Sequence, residues 1–195
     1  LSGTLSVMRS RLAGGLLLLA FWSPTEAATL GPAATVERET RTVLEVLGTE
    51  SADRAHAAWV HAERLMDFPE IARRALAANW DTLSLAQQWD AQYLMRGFFR
   101  RVVVAQLGKA KGEQLHTWRE TLSRDYATVT ARLVSPDGTA SEIRFLVHLT
   151  DTWRVYDIQV SGVSMLSNYR AQFQRLWREG GWARVQQALQ ERQDR

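Results

Sequence analysis

Apolar residues recur at every second position across Tyr126 to Val160, and at every third or fourth position in the segments on either side. A period of two marks strands with one buried face. A period near 3.6 marks helices with one buried stripe. Helices, then a run of strands joined by turns, then helices again is an α+β order rather than an alternating α/β one. No internal repeat or long linker interrupts it.

The elements can be bounded from their signals. Ala33 to Leu47 reads as a helix through Val36, Val43, Leu44 and Leu47, with Gly48 as its stop. Ala52 to Met66 reads as a second. A third follows Asp67, a capping carboxylate, with Pro69 in the first turn, where a missing N–H costs nothing. Ser84 and Gln87 have capping-box spacing and open a long helix to Leu107, closed by Gly108. Glu113 to Glu120, Tyr126 to Val134, Thr139 to Leu149 and Trp153 to Val160 read as strands, with turns at Pro136-Asp137-Gly138 and Thr150-Asp151. Gly162 ends the last strand. Ser164 to Arg178 and Trp182 to Gln190 read as helices separated by Gly180-Gly181.

The amino terminus reads as a segment to be removed. From Met8 it carries Arg9 and Arg11, an apolar run from Leu12 to Trp22, and a small-x-small site at Thr25-Glu26-Ala27. The run is shorter than the roughly 20 residues a spanning helix needs. The expectation is a cleaved secretory signal peptide over 1–27, with 1–7 as an upstream extension, and one mature domain over 28–195. Cleavage would take the formal charge from +3 to +2.

The chain has 195 residues and no cysteine, which excludes thiolate zinc sites, cysteine nucleophiles and a lipoprotein anchor. No Gly-rich phosphate loop or serine-nucleophile elbow is present. His56, His61, His116 and His148 have no ligand spacing and read as surface residues, so no metal is expected. Basic residues are scattered, Arg73-Arg74 and Arg100-Arg101 on solvated helix faces, so no nucleic-acid partner is expected. Tyr156, Asp157 and His148 could form a catalytic set inside a cone-shaped sheet, with Asp157 as its acid. Alternation, however, puts Tyr156 and Asp157 on opposite faces. The alternative is that Asp157 is a buried structural carboxylate bonded to backbone or to an arginine such as Arg170.

The run Trp153-Arg154-Val155-Tyr156-Asp157-Ile158-Gln159-Val160-Ser161-Gly162-Val163-Ser164-Met165, followed by Asn168-Tyr169-Arg170-Ala171-Gln172-Phe173, resembles the signature of the MlaC/toluene-tolerance family. Asp67-Phe68, Ile71-Ala72, Leu76 and Trp80 resemble a second block of it, with Ala77 where the family has glycine. Trp153, Asp157, Gly162, Ser164 and Arg170 are then its structural signature. The resemblance implies a curved antiparallel sheet of about four strands on a helical layer, with an apolar cavity between them.

It also implies no enzyme, but a monomeric soluble carrier in the periplasm, auxiliary to an ABC transporter. Such a carrier takes phospholipid between an inner-membrane ABC transporter complex and an outer-membrane lipoprotein–porin complex, maintaining outer-membrane asymmetry. The ligand is phospholipid and no cofactor is implied; a hopanoid-like lipid is the alternative. Burying a methylene is worth about 0.8 kcal/mol, so a chain of about 16 carbons gains on the order of 12 kcal/mol and needs a deep dry site. Candidate lining residues are Phe68, Leu76, Trp80, Phe98, Val102, Tyr169 and Phe173 from the helices, and Ile143, Phe145 and Val147 from the sheet. Ordinary core packing is the alternative for each. Release requires motion, and the helix pair from Ala52 to Ala78, hinged near Met66-Asp67, is the expected moving part.

Overall fold

Side-chain capping decides where three of the helices begin. The structure is a computed structural model describing residues 30–108 and 112–192; the expected signal peptide at 1–27 lies outside them. Helix α1 (Pro32–Leu47) starts on a proline and buries Val36, Val43 and Leu47 along one stripe. Helix α2 (Arg54–Leu65) buries Ala58, Trp59 and Leu65. Helix α3 (Phe68–Leu76) is capped by Asp67, whose Oδ1 accepts from the Glu70 N–H at 2.9 Å. A 3-10 segment, Ala77–Thr82, leads to α4 (Leu85–Leu107). The capping box forms as expected: the Gln87 N–H donates to Ser84 Oγ at 3.3 Å, and the Ser84 N–H donates to Gln87 Oε1 at 2.9 Å.

The strands are β1 (Gln114–Ser123), β2 (Tyr126–Val134), β3 (Ala140–Leu149), β4 (Trp153–Val160) and β5 (Val163–Ser164). They form one antiparallel sheet in chain order. The sheet has five strands rather than about four. Ser161 (φ 50°) and Gly162 (φ 81°) fold the chain straight back, so Val163 and Ser164 pair with Val160 and Gln159. Strand β1 runs past Glu120 to Ser123, where Arg124 (φ 52°) turns the chain into β2. Helix α5 (Met165–Glu191) is broken at Gly180 and Gly181 (φ 60°), which yields the two arms read from the sequence.

Register decides which sheet face meets the helices. Val129 pairs with Phe145, Ala127 with Val147, Val147 with Val155 and Leu149 with Trp153. Ala127, Val129, Ala131, Phe145, Val147, Trp153 and Val155 belong to one buried cluster with Val36, Leu76, Met95, Phe98, Phe173 and Leu189. Helices α1 to α5 therefore share one core with one sheet face. The α2–α3 junction also joins the sheet directly: Met66 bridges Val155, and the Asp67 N–H donates to the Val155 carbonyl at 2.8 Å.

Candidate functional site

The ten apolar residues singled out from the sequence come together. Phe68, Leu76, Phe98, Phe145, Val147 and Phe173 are buried in the shared core, and Trp80, Val102, Ile143 and Tyr169 pack against it half-buried. Phe98 of α4 and Tyr169 of α5 meet edge to face at 4.8 Å between ring centres, with Phe173 6.1 Å from Phe98. On the sheet side Ile143, Phe145 and Val147 stand opposite Ala131, Val129 and Ala127.

Several residues of the same set were not singled out. Phe99 contacts Phe98 at 5.3 Å and Tyr169 at 5.4 Å. Trp59 reaches Phe68 at 6.0 Å, and Met95 is fully buried. Met95 and Phe99 lie on the buried side of α4 with Leu94 and Phe98, a spacing visible in the sequence. Trp59 on a modestly amphipathic helix carried no such signal.

Beside this apolar set sits a polar cluster. His148 Nε2 lies 2.6 Å from Asp67 Oδ2, with the two side chains only 15% and 8% exposed. The surface reading of His148 is therefore corrected. Its ring stacks on Tyr126 at 5.8 Å and meets Tyr156 edge-on at 5.9 Å. Arg74 does not point into solvent as expected; its guanidinium lies 4.0 Å above the Tyr156 ring and pairs with Glu70 at 2.6 Å. Burial alone would raise the Glu70 carboxyl, but hydrogen bonds from Arg73 and Arg74, then their charges, hold its pKa below the ordinary value. Burial pushes the Tyr156 hydroxyl up. The pairing of Tyr126 with His148 follows from the hairpin turn at Pro136-Asp137-Gly138, whereas the reach of α3 over Tyr126 comes only with packing.

Asp157 is spent on structure. Its Oδ2 accepts from Ser164 Oγ at 2.6 Å, and its Oδ1 accepts from the Leu166 N–H at 3.0 Å. Ser164 Oγ in turn accepts from the Ser167 N–H at 2.8 Å, so the two residues jointly cap α5. Arg170 is not its partner. Arg170 Nε donates to the Arg74 carbonyl at 2.8 Å, and Gln174 Nε2 donates to the Leu76 carbonyl at 2.9 Å, so α5 satisfies the end of α3. Trp153 belongs to the core.

A cleft of about 560 Å³ opens where α2 meets α3, beside α4 and the β3–β4 turn. Met66, Phe68 and Pro69 line it together with Trp89, Tyr93, Arg96 and Arg154. A second cleft of about 350 Å³ lies between α1 and the start of β1. Among the described residues no group of three His, Asp or Glu side chains could hold a metal ion, and no helix is long and apolar enough to cross a membrane.

A family model described as MlaC protein matches residues 38–191. No curated protein matches the chain. Seven chains of solved structures do. One is the phospholipid-binding protein from Ralstonia solanacearum in complex with a phospholipid. It is 19% identical with a TM-score of 0.75, and the alignment covers 85% of this chain and 98% of that one. At that identity the likeness is one of fold.

Proposed function

The chain belongs to the MlaC family, and on that premise we propose that it is a phospholipid carrier whose acyl chains lodge between the sheet and the helical layer. The observation that carries this reading is an apolar core that spans both layers, in a fold like that of a protein solved with phospholipid bound. Phe68, Leu76, Trp80, Phe98, Val102, Ile143, Phe145, Val147, Tyr169 and Phe173 would contact the chains. These side chains pack on one another here, so admitting an acyl chain requires the layers to part. The work is burial rather than bond-making. Asp157 has both carboxylate oxygens committed to the start of α5, which argues against the cone-shaped enzyme.

The carrier acts in the periplasm as the mature domain 28–195, a monomer. It passes lipid between an inner-membrane ABC transporter complex and an outer-membrane lipoprotein–porin complex, and so maintains outer-membrane asymmetry. Organic extraction and mass spectrometry of protein purified from the periplasm test this. Diacyl phospholipid released in stoichiometric amount is expected. A sterol-like or hopanoid-like lipid, or no lipid at all, would overturn the phospholipid assignment.

A further inference from the structure

Helix α4 carries a second apolar row on the side away from the core. Leu94, Met95, Phe98 and Phe99 face inward, whereas Leu85, Trp89 and Tyr93 are 76%, 70% and 69% exposed. Residues four apart advance round a helix by about 40°, so the three stand on one outward face over two turns. Arg96 and Arg100 continue that face toward the carboxyl end of α4, and both are exposed. Arg96 is held by Glu63, while Arg100 pairs with no carboxylate among the described residues. Asp90 is the one acidic residue of α4, against three arginines.

The size of the row bears on what can cover it. Three such side chains offer on the order of 500 Å² of surface. A stable protein partner or a second copy needs about 800 Å² a side, shaped to fit. A bilayer surface needs neither. Trp and Tyr settle where an apolar ring meets hydrated polar groups. A guanidinium beside them meets lipid phosphate while its stem lies along the apolar boundary. No described helix is long and apolar enough to cross a membrane, so the contact is with the surface alone.

We propose that the outward face of α4 docks the protein on an anionic bilayer surface, with Leu85, Trp89 and Tyr93 entering the head-group layer and Arg100 against lipid phosphate. Docking sets the α2–α3 junction beside the bilayer, because Trp89 and Tyr93 also wall the cleft that opens there. The contact does not require lipid inside the core, so it is tested apart from the carrier reading.

The test floats protein purified from the periplasm with vesicles of phosphatidylcholine, alone or with about one third phosphatidylglycerol, and measures the bound fraction. The unmodified protein should float with both and more strongly with the anionic vesicles. Trp89→Ala should lower the partition about 5-fold on both. Arg100→Gln should lower it about 5-fold on the anionic vesicles and leave the neutral ones unchanged. Leu122→Ala removes a side chain that is 59% exposed on β1, and should behave as the unmodified protein. All three side chains are exposed, so their removal leaves the fold intact, which circular dichroism checks. No attachment of the unmodified protein to anionic vesicles, attachment unaffected by either α4 variant, or an equal loss in Leu122→Ala would overturn the docking face. A dimer that Trp89→Ala disperses in analytical ultracentrifugation would give the row to a second copy and overturn it likewise.

Discussion

His148 Nε2 and Asp67 Oδ2 stand 2.6 Å apart, joining strand β3 to the residue that starts α3. The same carboxylate accepts the Glu70 N–H through its other oxygen. One buried group thus sets both the start of a helix and its attachment to the sheet. Asp67→Ala should cost about 2–3 kcal/mol, a lost cap plus a lost buried hydrogen bond. Urea unfolding of Asp67→Ala, His148→Ala and the double variant should give a coupling of about 1 kcal/mol. Strict additivity would mean the contact contributes nothing.

Ala77 follows α3 with φ 51° and ψ −130°, a conformation that favours glycine. The family resemblance puts glycine at this position. Ala77→Gly should therefore raise stability by about 1 kcal/mol despite the added chain entropy of glycine. Thermal and urea midpoints check it, and a lower midpoint would refute the strain.

Glu70 has a folded-state pKa below its unfolded value of 4.5. Between those two values the unfolded chain binds more protons, so stability rises with pH there. The contribution is complete above about pH 4.5 and is lost as pH falls through the lower folded value. Unfolding midpoints measured from pH 6 downward should show a shallower acid decline in Glu70→Gln. Parallel curves for the two proteins would remove Glu70 from the account.

Asp157→Ala should destabilise the protein by about 2 kcal/mol, because the Leu166 N–H loses its acceptor and Ser164 loses its anchor. Circular dichroism melting reads the loss. A fully stable variant would contradict the capping role.

If the layers part to admit lipid, α2 and α3 should exchange amide hydrogen more slowly in loaded protein than in empty protein, with the largest change near Met66 and Asp67. Identical exchange in the two states would rule out this helix pair as the moving part.

The fold was legible where local signals and periodicity agreed. Ser84 with Gln87, Asp67 with Pro69, and Gly180-Gly181 each mark a boundary that the structure places within a residue or two, because capping and glycine conformation are decided by neighbours in the chain. Alternation in Ile143, Phe145 and Val147 likewise fixed the core face of β3. His148 and Arg74 were misread for the opposite reason. A polar residue on the outer face of a strand or helix looks solvated until another element, here α3 against the Tyr126–Tyr156 side, is brought over it. The fifth strand was missed because two residues carry no period. The cleft joins three elements far apart in sequence, and only packing brings Trp89, Phe68 and Arg154 to one place.

The break at Gly180-Gly181 also bears on when the molecule can fold. It turns the second arm of α5 so that Trp182, Val185 and Leu189 enter the same cluster as Val36 of α1. A chain growing from its amino end therefore carries an unmatched apolar surface until its last helical turn has been made. The core therefore closes only once the second arm of α5 is present.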